Sequence, residues 1–143
     1  MVATPEEAAQ GQRLTDLFGL LRSLDLPLGD YAVFGSGPLI IRGIVEGTND
    51  LDIITRGPTW DHLQRIGHVA EFEGGNLRVD FFEKRLTFGC SWKYGTFDLD
   101  ELIDTAEVID GLPFVRLEHV IAYKTAAGRP KDLEHLRLLE AAG

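Results

Sequence analysis

The chain has 143 residues, which fits one domain with a single hydrophobic core. Its formal net charge of −9 disfavours non-specific binding to nucleic acids, because such binding needs clustered lysines and arginines. Cys90 is the single cysteine, which excludes an intrachain disulfide, and no apolar run resembles a membrane span or a signal-peptide core. We therefore expect residues 1–143 to form one cytoplasmic domain without a membrane partner.

The first segment predicts an amphipathic helix. Thr4 and Glu7 have the spacing of a capping box, and Pro27 and Gly29 follow the helix as breakers. Apolar side chains recur between them at steps of three and four residues, at Leu14, Leu17, Phe18, Leu21 and Leu24. We expect this stripe to pack against one face of a sheet.

An apolar strand beginning at Tyr31 is predicted next, and it ends at the Gly35-Ser36 turn. A turn with so little side-chain bulk lets backbone N–H groups approach an anion such as a phosphate. Residues 38–45 also suit a strand, but Pro38 favours a helix that starts at Gly37 or Pro38.

Acidic and apolar residues alternate in the run Asp50-Leu51-Asp52-Ile53. In a strand, Asp50 and Asp52 share one face while Leu51 and Ile53 lie on the other, buried face. Two adjacent carboxylates repel each other and favour a cation between them, and hard oxygen ligands favour Mg²⁺ or Mn²⁺.

A helix capped by Thr59 and carrying Trp60, Leu63 and Ile66 is expected after this strand. A hairpin follows, with strands at 68–72 and 76–82 around Gly74-Gly75, and then a strand over 86–92. The second hairpin strand carries Asp80. If this strand pairs beside the Asp50 strand, three carboxylates converge on one site that faces the Gly35-Ser36 turn.

The remaining pattern predicts a helix capped by Asp98, a hairpin at Asp110-Gly111 and two C-terminal helices separated by Gly128. Lys124 continues the apolar stripe of the first C-terminal helix and is therefore expected to point inward. The predicted inner faces of the two helices comprise Leu117, Val120 and Ile121, then Leu133, Leu136 and Leu139.

Three short motifs together resemble the nucleotidyltransferase superfamily of DNA polymerase beta. They are Phe34-Gly35-Ser36, Asp50-Leu51-Asp52-Ile53 and Val79-Asp80-Phe81, in this order and with a spacer of about a dozen residues after the turn. The tail from Lys124 to Leu133 resembles small bacterial nucleotidyltransferase-like proteins related to abortive-infection and toxin–antitoxin components. The resemblance covers most of residues 31–140.

The resemblance implies an α+β fold of the α/β-type nucleotidyltransferase kind, with a mixed central sheet, flanking helices and a C-terminal helical pair. It implies a metal-dependent transfer of a nucleoside monophosphate from an NTP to an acceptor hydroxyl. Asp50, Asp52 and Asp80 would be catalytic and would bind Mg²⁺ or Mn²⁺, while Gly35, Ser36 and Lys124 would contact the nucleotide. Arg129 and Asp132 would join the last two helices or reach the rim of the site.

Each motif also has a simpler interpretation. The Gly35-Ser36 turn could be an ordinary strand-to-helix turn, and the aspartates could be surface acids. Ile40 replaces the third glycine of a dinucleotide fingerprint, and no P-loop lysine follows. The Lys124 stem could cover apolar surface while its amine reaches water. The four histidines, His62, His68, His119 and His135, lack close ligand spacing, so core or surface roles are expected.

Two other functions stay open at this point. A catalytically silent protein of the same fold could act as a binding protein or toxin–antitoxin partner, with a partner protein or as a homodimer. A glycosyltransferase is a third possibility, since Asp-x-Asp pairs also bind the metal of sugar nucleotides, but 143 residues are few for such enzymes. The acceptor is unspecified: a small molecule, a tRNA end or a protein, with the acidic charge favouring a small or cationic one.

Overall fold

The fold is a mixed sheet with helices on both faces, in a computed structural model that describes residues 17–71, 76–90 and 97–143. In these ranges the sheet has seven strands in the order β3-β4-β5-β2-β1-β7-β6. The β1–β7 and β2–β5 pairs are parallel, and the other neighbours are antiparallel. The strands are β1 (Tyr31–Phe34), β2 (Leu51–Thr55), β3 (His68–Glu71), β4 (Leu77–Phe81), β5 (Leu86–Gly89), β6 (Glu107–Ile109) and β7 (Leu112–Phe114).

Six helices flank the sheet in the described residues. They are α1 (17–23), α2 (Gly37–Ile40), α3 (Gly57–Ile66), α4 (Leu99–Asp104), α5 (Leu117–Ala127) and α6 (Pro130–Ala142). The Asp98 side chain caps α4 by accepting hydrogen bonds from two backbone N–H groups, and Gly128 ends α5 in the left-handed conformation, with φ of 58°. No helix in the described ranges is long and apolar enough to cross a membrane. The predicted Thr4–Leu14 segment lies outside those ranges.

One face of the sheet is covered by α1 and α3. Because Leu51 and Ile53 flank Asp52 in β2, they point to this face, opposite to Asp52, and are fully buried there. Leu17, Phe18 and Leu21 of the predicted stripe pack into the same core cluster, together with Val33, Leu63, Val79, Leu86, Phe88 and Phe114. The alternation of Leu51, Asp52 and Ile53 is confirmed, although Asp50 precedes the strand, and the described part of the α1 stripe is confirmed as well.

The other face is covered by α2, α4 and α5. Its core cluster contains Ala32, Phe34 and Ile54 from the sheet and Leu39, Leu102, Val120 and Tyr123 from the helices. Leu138 and Leu139 of α6 pack at its edge. Since Asp52 pairs with Phe34 and residues directly opposite each other share a face, Asp52 lies on this side. The functional candidates therefore belong to this face.

Several local expectations were wrong. Thr59 does not cap α3; it lies inside that helix, where its hydroxyl donates to the Asp30 carboxylate at 2.8 Å. Leu133 is 57% exposed, and Ile121 is also exposed, because α5 and α6 turn Lys124 and Asp132 inward instead. The β4 strand that carries Asp80 pairs with β3 and β5, so it does not lie beside β2.

Gly37 begins α2 directly against β1, and it generates a testable prediction. A methyl group at this position would overlap a Val33 methyl carbon. We therefore expect Gly37→Ala to lower the free energy of unfolding by about 1–3 kcal/mol in urea denaturation.

The double variant Gly37→Ala/Val33→Ala tests the cause. Because the shorter side chain removes the overlap, Gly37→Ala should cost much less in the Val33→Ala background than in the wild type. Equal costs in both backgrounds would contradict this packing argument.

Candidate functional site

The Gly35-Ser36 turn lies against the carboxylate of Asp52. The antiparallel register pairs Phe34 with Asp52, so the residue that follows Phe34 emerges beside this side chain. Gly35 has a φ of 61°, and a Cβ atom there would lie 3.0 Å from Asp52 Oδ2. A glycine therefore permits both the left-handed turn and its close approach to the acid.

Lys124 reaches the same turn from α5. Its Nζ donates to Ser36 Oγ at 3.4 Å, and the residue is 2% exposed. Because the side chain is buried to its end, the alternative in which the amine extends into water is wrong. Burial lowers the pKa of Lys124, and the charge of Asp132 and a hydrogen bond to it oppose this shift.

Two residues of α6 complete a group that we call the Lys124 cluster, formed by Ser36, Lys124, Asp132 and His135, in which Lys124 and Asp132 are buried and the other two are half-buried. Asp132 is fully buried and lies 3.5 Å from Lys124 Nζ, while His135 Nδ1 lies 3.1 Å from the same atom. Arg129 also binds Asp132, with Nε 2.6 Å from its carboxylate. Burial raises the pKa of Asp132, but these Arg129 contacts and the Lys124 charge outweigh it and lower that pKa overall. As expected, Asp132 joins the last two helices.

Asp52 carries an unfavourable charge. Its pKa is raised to about 6, first by burial and second by the nearby Asp50 carboxylate. The positive charges of Lys131, Arg78 and Arg129 oppose this shift. Asp50 itself precedes β2 and is exposed. The two acids lie close enough to interact, and Asp52 is only partly stabilised by its surroundings.

Positive side chains surround Asp52 although the chain is acidic as a whole. Arg78 reaches it from β4, where this arginine is largely buried, and Arg129 and Lys131 act from the start of α6. Burial lowers the pKa of Arg78, and the negative charge of Asp52 raises it in return. Three positive side chains therefore oppose the cost of the Asp52 charge, in a chain that is acidic as a whole.

Asp80 lies on the same face but one strand farther away than expected. Thr87 of β5 pairs with Asp52 on one side and with Asp80 on the other, so the three form one row across the sheet. The backbones of β2 and β4 are therefore separated by about 10 Å, two strand spacings. Thr87 Oγ1 donates to Asp80 Oδ1 at 3.0 Å.

The donor set near Asp52 suits a divalent cation that is shared with phosphate oxygens. Mg²⁺ is commonly bound by one or two carboxylates together with substrate phosphates and water. Asp50 and Asp52 provide two carboxylates, and the raised pKa of Asp52 reflects its burial first and the charge of Asp50 second, both of which a bound cation would offset. Among the described residues, no three acidic, histidine or cysteine side chains are grouped closely enough to hold a metal ion by themselves.

The structure thus brings together Gly35, Ser36, Asp52 and Lys124 and leaves Asp80 at a distance. Sequence reasoning missed His135, which was assigned a core or surface role. The available signal was its position three residues after Asp132, which places both side chains on one face of α6. It also missed Arg78, whose only signal was its place two residues before Asp80 on one strand face.

Comparisons with known proteins add no assignment. No model of a protein family matches the chain, and a search of curated proteins finds no significant relative.

The raised pKa of Asp52 predicts a gain in stability for Asp52→Asn. In the folded protein this carboxyl group holds its proton up to a pH of about 6, above the usual 3.8, so the folded state binds more protons in that window. The free energy of unfolding therefore falls as the pH rises from about 4 through 6. We expect Asp52→Asn to exceed the wild type by about 2–3 kcal/mol at pH 7.5 and to match it near pH 4.

Urea denaturation across this pH range provides the measurement. Asp61→Asn, an exposed change on α3, is the matched control and should leave the free energy of unfolding unchanged at both pH values. A wild type that gains stability relative to Asp52→Asn on going from pH 4 to pH 7.5 would rule out the assigned charge balance.

Proposed function

We propose that this protein is a metal-dependent nucleotidyltransferase that moves a nucleoside monophosphate from an NTP to an acceptor hydroxyl. One observation carries the proposal: Ser36 Oγ lies 3.4 Å from the buried Lys124 Nζ, while the preceding Gly35 lies against Asp52. A hydroxyl, an ammonium group and a carboxylate from three separate segments thus meet at one turn. Such a combination suits a triphosphate and its metal ion.

Each of these residues would bind the part of the nucleotide complex that suits its charge. The Lys124 N–H group that now donates to Ser36 would donate to a phosphate oxygen when the triphosphate binds, and the Ser36 hydroxyl would donate to another. Arg129, Lys131 and Arg78 add positive charge around them. Asp50 and Asp52 would hold Mg²⁺ or Mn²⁺ together with the triphosphate. When bound, the ion neutralises charge on the transferring group and lowers the pKa of the attacking oxygen.

We assign Asp80 to the acceptor side of the site. It lies in the same row of the sheet as Asp52, farther from Ser36, and Thr87 orients its carboxylate. A carboxylate there can accept the proton of the acceptor hydroxyl as that oxygen attacks the α-phosphorus and pyrophosphate leaves. The acceptor itself stays open among a small molecule, a tRNA end and a protein.

The second candidate is a nucleotidyltransferase-fold protein without turnover, which acts as a binding protein or toxin–antitoxin partner. The separation of Asp80 from Asp52 by a whole strand favours it, since it keeps the third carboxylate away from the first two. The two functions differ in one measurable respect. The silent protein would bind an NTP or a partner protein but would release no pyrophosphate.

Nucleotide binding tests the proposal first. We expect at least one of ATP, GTP, CTP and UTP to bind with Mg²⁺ in isothermal titration calorimetry. Ser36→Ala should weaken this binding about tenfold, because it removes one hydrogen bond to the triphosphate. Ser23→Ala, which removes an exposed hydroxyl on α1, should leave the affinity unchanged. Failure of all four nucleotides to bind would reject the site.

Turnover tests the catalytic assignments. With an NTP labelled at the α-phosphate and a pool of candidate acceptors, Asp52→Asn and Asp80→Asn should each lower transfer at least a hundredfold while the protein stays folded. Asp61→Asn is again the control. Transfer that persists in both variants would remove these two residues from the mechanism, and binding without any transfer by the wild type would favour the silent protein.

A further inference from the structure

His135 contacts two members of the Lys124 cluster, Lys124 and Ser36, which are the proposed phosphate ligands. Its Nδ1 atom lies 3.1 Å from Lys124 Nζ and 3.5 Å from Ser36 Oγ. The histidine belongs to α6, whereas Lys124 belongs to α5 and Ser36 to the turn after β1. One ring nitrogen therefore links the last helix to both proposed phosphate ligands.

The hydrogen-bonding partners determine the charge of the His135 ring and which of its nitrogens carries the proton. An ammonium group can only donate hydrogen bonds, so Nδ1 has to accept one, and the ring proton then lies on Nε2. A protonated imidazole would direct an N–H group at the ammonium group and place two positive charges in contact. The observed spacing therefore requires a neutral His135.

We propose that His135 is a positioning residue for the triphosphate: its neutral ring holds the Lys124 ammonium beside Ser36, and its protonation releases that ammonium and weakens triphosphate binding. This inference rests on the proposed function and extends it to the control of the same site by pH. His135 itself does not touch the reacting atoms.

The charges that face His135 come from three segments. Lys124 on α5 and Lys131 on α6 disfavour protonation of the ring, whereas Asp132 and Glu134 on α6 favour it, and Ser36 is neutral. Burial, the largest influence, and the Lys124 charge together lower the pKa of His135 below its usual 6.5. The ring is therefore neutral at pH 7.5 and gains its proton only as the pH falls below that usual value.

Two substitutions separate positioning from packing. In His135→Asn, the amide oxygen can occupy the place of Nδ1 and accept from Lys124, but it does not titrate in this range. In His135→Leu, the acceptor is absent while the side chain stays bulky. His62→Asn, an exposed histidine change on α3, is the matched control.

The measurement is calorimetric binding of inorganic triphosphate with Mg²⁺ at pH 7.5 and pH 5.5. At pH 7.5 we expect His135→Leu to bind about tenfold more weakly than the wild type, and His135→Asn and His62→Asn to bind within about twofold of it. From pH 7.5 to 5.5 the wild type and His62→Asn should lose up to several-fold more affinity than His135→Asn, because the lowered pKa of His135 leaves its protonation incomplete at pH 5.5. Protonation of Asp52 and of the triphosphate also changes the affinity over this pH range. This change is common to all variants, so it cancels when their affinity losses are compared.

A readout without any ligand distinguishes the possible failures. Nitrogen-15 NMR of the free protein at pH 7.5 should find the His135 proton on Nε2. A proton on Nδ1, or unchanged triphosphate binding by His135→Leu at both pH values, would overturn this inference alone. The expected tautomer in a wild type that binds no triphosphate would overturn the proposed function and, with it, the role of His135 in binding.

Discussion

The buried Lys124 ammonium is the constraint on which the rest of the site depends. A charge that is 2% exposed is tolerable only when partners replace its lost hydration, and here Asp132, His135 and Ser36 do so. Two of these partners belong to α6 and one to the turn after β1. Satisfying one ammonium therefore fixes the C-terminal helix pair against the end of the first strand.

This arrangement explains why an acidic protein presents a positive environment at one face. Once α6 is fixed by Asp132, its first turn brings Lys131 and Arg129 within range of Asp52, and Arg78 approaches from the far side. Asp52 then lies between cations and the Asp50 carboxylate. The pKa of Asp52, raised to about 6 by burial and by Asp50, shows that its negative charge costs the folded protein stability.

The sequence predicted much of this because several signals are local. The strand with alternating acids, the Asp98 cap, the Asp110-Gly111 turn and the Gly128 stop depend on nearest neighbours and the period of each element. The inward direction of Lys124 followed from helical periodicity. The mixed α+β sheet was likewise expected, although the more specific fold assignment and the roles of the site residues stay predictions.

The wrong predictions concern contacts between residues that are far apart in the sequence. Strand order cannot be read from one strand, so the insertion of β5 between β2 and β4, which moves Asp80 away from Asp52, was not foreseen. The inner face of α6 was assigned to Leu133 because apolar residues usually lie inside. The need of Lys124 for a carboxylate and an imidazole turned Asp132 and His135 inward instead, and it left Leu133 in solvent.

The most direct measurement of the central claim is a crystal structure with a non-hydrolysable NTP and Mn²⁺. The account predicts that the triphosphate lies within hydrogen-bonding distance of Ser36 and Lys124, with an anomalous manganese signal at Asp50 and Asp52. A nucleotide bound elsewhere on the protein, or manganese bound without contact to Asp52, would contradict it.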